Sequence, residues 1–127
     1  MRTRGLADTL GIELVELTPE RVVATMPVDD RTRQPFGILH GGASVALAET
    51  AVSLGAWLNI DREQQAAVGL EINANHVRAV ESGTVRVVAT PLHRGRTTQL
   101  WSAEIRDDQE RLVCISRCTL AVVARRG

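Results

Sequence analysis

Lysine is absent: all 15 basic residues of this 127-residue chain are arginine, and 15 acidic residues balance them to a formal net charge of zero. With neither sign in excess, no long-range field draws the chain to nucleic acid or to a membrane surface. The arginine total by itself says nothing about ligands. Aromatic residues are nearly missing too, with no tyrosine, one phenylalanine (Phe36) and two tryptophans (Trp57 and Trp101). Any ring bound here would therefore lie mostly on aliphatic walls. The two cysteines, Cys114 and Cys118, are four positions apart, roughly 13 Å along a strand and too far for a disulfide within one chain. They read as small apolar residues in a reducing compartment. No apolar run approaches the length of a membrane span. Acidic residues (Asp8, Glu13, Glu16) follow the basic start before any apolar stretch long enough for a signal sequence. A cytoplasmic location is the default expectation.

What is present is the material of one globular domain, residues 1–127, with 44 % hydrophobic and 24 % charged residues. Residues 3–10 predict a short helix, with Leu6 and Leu10 one turn apart. Ile12 to Leu14 alternates, and Arg21 to Val28 reads as a strand that Pro27 ends or places at an edge. Asp29 to His40 is loop, punctuated by Pro35 and Gly37. From Gly41 to Ile60 strong helix formers carry apolar residues on every side, and a helix apolar all round is normally buried all round. Four strands follow, 67–77, 84–92, 97–106 and 112–123, joined by short polar turns that suggest an antiparallel meander. The fold class is α+β, one long central helix against a sheet of five or six antiparallel strands. A single sheet wrapped round one helix leaves edges and a face to cover, for which a dimer is the natural remedy.

Glu49 is the most informative residue, an acid in the middle of the helix expected to be buried. Gly42, Ala46, Ser53 and Ala56 share its face at helical spacing. The plain alternative is a helix position that meets solvent, as most glutamates do. If the apolar surroundings hold, the carboxylate is desolvated and its pKa raised, as a general base or nucleophile needs. Ser53, one turn on, could hold a water beside it or merely bond back to its own helix. His40-Gly41-Gly42 opens the helix, where the first amides lack internal partners and the helix dipole is positive. Glycine removes the Cβ that would keep a ligand away, so the Gly41 N–H could polarise a carbonyl; two glycines could also simply make a tight entry. Gln34, in Gln34-Pro35-Phe36-Gly37, could donate to the same oxygen or be an exposed loop residue. His76 lies in a polar patch of an otherwise apolar strand and is either functional or an ordinary exposed histidine. His93 reads as a strand-end residue. The histidines and cysteines show no metal-ligand spacing, and no nucleophile-elbow, phosphate-loop or dinucleotide motif occurs.

The stretch from Gln34 through His40-Gly41-Gly42 to Glu49 resembles the signature of hotdog-fold acyl-CoA thioesterases. The group is that of the type II 4-hydroxybenzoyl-CoA, 1,4-dihydroxy-2-naphthoyl-CoA and enterobactin-pathway proofreading thioesterases. Gly69 to Arg78 and Pro91 to Gly95 are similar to that group as well, and the likeness runs from about Leu10 to Val123. The resemblance implies a homodimer with two active sites at the subunit interface, often paired into a dimer of dimers. It implies Glu49 as the catalytic carboxylate and Gly41 as backbone donor to the thioester carbonyl. Gln34 and His40 would lie near that carbonyl, and Ser53 would help to place the attacking water. His76 would approach the acyl group from the facing subunit. Gly42 and Phe36 fall within the same motif as substrate contacts, and Arg78, Arg94, Arg96 and Thr97 are candidates for the phosphate side of coenzyme A. No cofactor beyond the CoA of the substrate, no metal and no nucleic-acid or membrane partner is implied.

The expected reaction is hydrolysis of an acyl-CoA to free acid and CoA, the helix start stabilising the oxyanion. Glu49 would act as nucleophile or as base toward water. The resembled group points to an aromatic acyl-CoA, with 1,4-dihydroxy-2-naphthoyl-CoA of menaquinone synthesis the first candidate and hydroxybenzoyl-CoA beside it. Aliphatic acyl-CoA and acyl-carrier-protein thioesters stay open. A hotdog dehydratase would need its histidine and acid in another order. A sensor of acyl-CoA that regulates transcription would need a nucleic-acid-binding segment and no Glu49.

Overall fold

The computed structural model describes residues 5–126. A one-turn helix, α1 (Leu6–Thr9), leads into a hairpin of β1 (Glu13–Thr18) and β2 (Arg21–Pro27). The Thr18 hydroxyl closes that turn, accepting from the Arg21 N–H at 2.9 Å and donating to the Arg21 carbonyl at 3.0 Å. The long helix α2 (Gly41–Trp57) follows, then β3 (Gln65–His76), β4 (Thr84–Arg94), β5 (Thr98–Arg106) and β6 (Leu112–Ala124). Of the helix expected over 3–10, Thr3 and Arg4 lie outside the described residues.

All six strands form one antiparallel sheet in the order β1-β2-β4-β5-β6-β3. Six strands at about 4.8 Å spacing span roughly 24 Å, whereas a helix with its side chains is only about 10 Å across. Because α2 nevertheless touches every strand, the sheet curls round it, the hotdog arrangement. Alternation supplies the lining: Val85, Val87 and Ala89 of β4, and Trp101, Ala103 and Ile105 of β5, are buried while their neighbours are not. From the helix side Leu47, Ala48, Ala51, Val52 and Ala56 meet them with no exposed surface. The Trp101 indole donates to Gln99 Oε1 at 2.8 Å, and Gln99 Nε2 donates to the Ala56 carbonyl at 3.4 Å, so these two buried side chains are tied to each other and to the helix. No helix among the described residues is long and apolar enough to cross a membrane.

Four expectations need correction. The last four strands are not one meander: β4, β5 and β6 are consecutive neighbours, but β3 pairs with β6 at the far edge. Its connection to β4, residues 77–83, is longer than the turns at 95–97 and 107–111. That longer segment crosses over, tied by the Leu39 N–H to the Val80 carbonyl at 2.8 Å. The helix stops at Trp57, short of Ile60, where Asn59 Nδ2 donates to the Gly55 carbonyl at 2.9 Å and to Pro19 at 2.8 Å. Nor is the helix buried all round: Gly42 and Trp57 are exposed and Ala46, Glu49, Thr50 and Ser53 only partly covered. Ala56, assigned to the Glu49 face, is instead fully buried against the sheet. A six-stranded sheet covers one side of a helix, and the outer side of this one stays partly exposed.

Candidate active site

The start of α2 is built by His40. Its Nδ1 accepts the Gly42 N–H at 2.8 Å, capping the helix, so the ring proton sits on Nε2. A Cβ on Gly42 would stand 2.9 Å from that ring, which gives Gly42 a reason in the cap, and its N–H is already engaged. The Gly41 N–H is different: among the described residues nothing accepts it. It opens into a hollow of about 430 Å³ lined by Gln34, Gly41, Ser44, His76, Arg78 and Val113. The Gln34 side-chain oxygen accepts the Phe36 N–H of its own loop, which leaves the amide NH₂ to donate elsewhere. His76 lies over Gly41, its Nε2 3.1 Å from where a Cβ would stand. Ser44, one turn into the helix and 1 % exposed, lines the same hollow with a hydroxyl that has no partner among the described residues.

Glu49 belongs to a second hollow of about 410 Å³, with Leu6, Ala46, Thr50, Ser53 and Leu54. The expected desolvation is incomplete, since the single protomer leaves Glu49 partly exposed. No hydrogen bond or ion pair holds its carboxylate among the described residues. It rests on β3 at Gly69, Oε2 only 2.9 Å from the position of the missing Cβ. Of the two hydroxyls beside it, Thr50 bonds back to the Ala46 carbonyl at 2.6 Å, while Ser53 makes no such bond and stays available. Cys118 lies buried nearby; burial, then the Glu49 and Glu71 carboxylates, push its thiol up to about 11, so it is protonated at neutral pH and no nucleophile.

Gly41 and Glu49 are eight helical residues apart, about 12 Å of rise. One carbonyl cannot touch both within a protomer. The structure thus forms two separate clusters, Gln34, His40, Gly41, Ser44 and His76 at the helix start and Glu49 with Ser53 farther along. Arg78 lines the first hollow and donates to the Leu112 carbonyl at 3.3 Å. Arg94 is at the other end of the helix, held by Asn59 Oδ1 at 3.2 Å and Glu20 at 3.4 Å. Arg96 and Thr97 are exposed on the β4–β5 turn, and Phe36 is 90 % exposed on its loop; the side chains of these four are not brought together with either cluster. Sequence reasoning passed over Ser44 and Gly69. A hydroxyl three residues after Gly41 could have flagged Ser44, and a glycine inside a strand could have flagged Gly69. Among the described residues no three histidine, cysteine, aspartate or glutamate side chains gather as a metal site would need.

A family profile described as thioesterase superfamily matches residues 36–114. ComA2 of Bacillus subtilis (strain 168), whose name goes no further than esterase, is 64 % identical over 94 % of this chain and 95 % of its own. The 1,4-dihydroxy-2-naphthoyl-CoA hydrolase of Escherichia coli (strain K12) is 52 % identical, covering 94 % of this chain and 87 % of its own. Among solved structures, a mutant form of thioesterase PA1618 from Pseudomonas aeruginosa superimposes with a TM-score of 0.92 at 48 % identity, over 94 % of this chain and 86 % of that one.

Proposed function

The chain belongs to the thioesterase superfamily and hydrolyses a thioester, and on that premise we propose an aromatic, hydroxylated acyl-CoA as its substrate, cut at a site shared by two protomers. The observation that carries this reading is the pair of half-sites about 12 Å apart along one helix. Gly41 of one protomer offers its free N–H, at the positive end of the helix, to the thioester oxygen. Glu49 and Ser53 of a second protomer face the carbonyl carbon. The free strand edge supports such a pairing: among the described residues β3 bonds only to β6, and Val68 and Leu70 along it are exposed. Joining two copies there gives two sites per dimer, and the free sheet face leaves room for a dimer of dimers.

In this mechanism the Gln34 amide donates beside Gly41 to the oxygen as negative charge develops on it. Glu49 removes a proton from a water placed with Ser53, or attacks the carbonyl itself to give an anhydride that water then opens. CoA leaves as the thiol, and the acid remains. His76, over Gly41, flanks the acyl group, and Arg78 is the candidate on this rim for the nucleotide phosphates. Ser44 supports a hydroxylated acyl group, because its hydroxyl lines the hollow with no partner among the described residues and is left to bond a ligand. The 1,4-dihydroxy-2-naphthoyl group of menaquinone synthesis is the first candidate, with hydroxybenzoyl next. The cytoplasm, where CoA esters are made and thiols stay reduced, is the setting this reading supplies.

Free-thiol release tests it, with wild type and Glu49→Ala compared on dihydroxynaphthoyl, hydroxybenzoyl, benzoyl, short aliphatic and long-chain CoA esters. A hydroxyaryl ester is expected to turn over best, and Glu49→Ala to lose about 100-fold or more. An aliphatic ester turned over best would overturn the substrate. Wild-type activity in Glu49→Ala would overturn the site.

A further inference from the structure

Gly69 sits well inside β3, where a glycine weakens a strand and packs nothing. Its backbone does not ask for glycine: the glycines with positive φ are Gly5, Gly11, Gly37 and Gly83, and Gly69 is not among them. What occupies the missing side chain's place is the carboxylate of Glu49, whose Oε2 lies 2.9 Å and Cδ 4.0 Å from an ideal Cβ. Real Cβ atoms do not come so near an oxygen. At the same point the ladder to β6 slips. Gly69 faces Leu120 but Glu71 faces Thr119, so Leu70 is an extra residue in a bulge and is 62 % exposed. Among the described residues no hydrogen bond or ion pair holds Glu49, and the carboxylate rests on the surface that Gly69 leaves open.

We propose that Gly69 is a positioning residue for Glu49: the absent side chain leaves the seat in which the reacting carboxylate lies, and any larger residue there displaces it. The inference rests on the reading of Glu49 as the catalytic carboxylate. It has an unusual energetic signature. The group that must yield to a Cβ at position 69 is the tip of a flexible, partly exposed side chain, so the fold gives up little. That tip is also the reagent, and a displacement near 1 Å costs about 100-fold when geometry sets the rate.

Gly69→Ala should therefore keep the melting temperature and assembly size of the wild type and hold KM within about threefold, while kcat falls between about 10- and 100-fold. Glu49→Asp, one methylene shorter, should cost markedly less in the Gly69→Ala background than in the wild type, because two changes to one contact do not add. If Gly69→Ala proves poorly folded, adding Glu49→Asp should restore the melting temperature of Glu49→Asp alone. A wild-type kcat in Gly69→Ala overturns the proposal, as does a loss that only tracks lost stability or assembly. Equal costs of Glu49→Asp in the two backgrounds, or a double variant as unstable as the single, overturn it too. Those outcomes leave Glu49 in its role if Glu49→Ala remains inactive; an active Glu49→Ala is the separate failure of the reading beneath.

Discussion

Asp107 closes the turn between β5 and β6 with a side chain that has almost no exposed surface. Its Oδ1 accepts the N–H groups of Gln109 and Arg111, each at 2.9 Å, and its Oδ2 accepts Arg111 Nε at 2.9 Å. Burial alone would raise its pKa. The Arg111 and Gln109 backbone donors and the Arg111 guanidinium outweigh that and hold it below the usual 3.8. A depressed carboxylate stabilises the fold fully above its unfolded pKa and stops doing so as pH falls through the folded value. Asp107→Asn should thus melt below the wild type at pH 7, and thermal scans at successively lower pH should show the gap closing below about pH 4. A gap independent of pH would mean that the charge contributes nothing. Ser44 is the residue-scale test of substrate. Ser44→Ala should cut the preference for hydroxybenzoyl-CoA over benzoyl-CoA by about 3- to 10-fold, the worth of one neutral hydrogen bond. An unchanged ratio in thiol-release assays would remove Ser44 from recognition.

At the scale of elements, α2 is shaped by its neighbours more than by helix propensity. Replacing a helical glycine by alanine ordinarily stabilises a helix by up to about 1 kcal/mol. Gly55 should do the reverse. A Cβ there would lie 2.6 Å from Cζ3 of Trp101, whose ring is fully buried and anchored through Gln99 to the helix itself. Gly55→Ala should lower stability in urea unfolding by about 1–3 kcal/mol, the usual cost of overfilling a packed core; a stabilised variant would mean that the indole moves freely. At the other end the His40 cap fixes the direction of the Gly41 N–H, because it consumes the next amide and leaves this one open. β3 differs from the other long strands in having one edge without a partner among the described residues, and Gly69 places Glu49 against that same strand.

For the whole molecule the separation of Gly41 from Glu49 makes a prediction about mixing. If each site takes Glu49 from one protomer and Gln34 and Gly41 from its partner, a hybrid of Glu49→Ala with Gln34→Ala holds one intact site and one doubly damaged site. Co-refolding equal amounts of the two weak variants should then recover about a quarter of wild-type activity, since half the dimers are hybrids with one good site of two. Sites contained within one protomer would give no recovery. Light scattering on the same samples should find dimers or tetramers and no stable monomer.

The sequence by itself determined the α+β class and the position of the one long helix, because turn residues and apolar periodicity are local and each segment carries its own. The acid in that helix and the glycines at its start were legible for the same reason, and the motif joining Gln34, His40 and Glu49 was enough to indicate a thioesterase. Tertiary structure alone decided that β3 lies beside β6, since a seven-residue connection can turn back or cross over and nothing local distinguishes the two. It alone placed Gly42 in the cap, Ser44 in the hollow and Gly69 beneath Glu49, because each depends on which surface meets it from a distant part of the chain. The open outer face of the helix was hidden for a related reason. Composition records how apolar each side of a helix is, but only the width and curl of the sheet decide which side it covers.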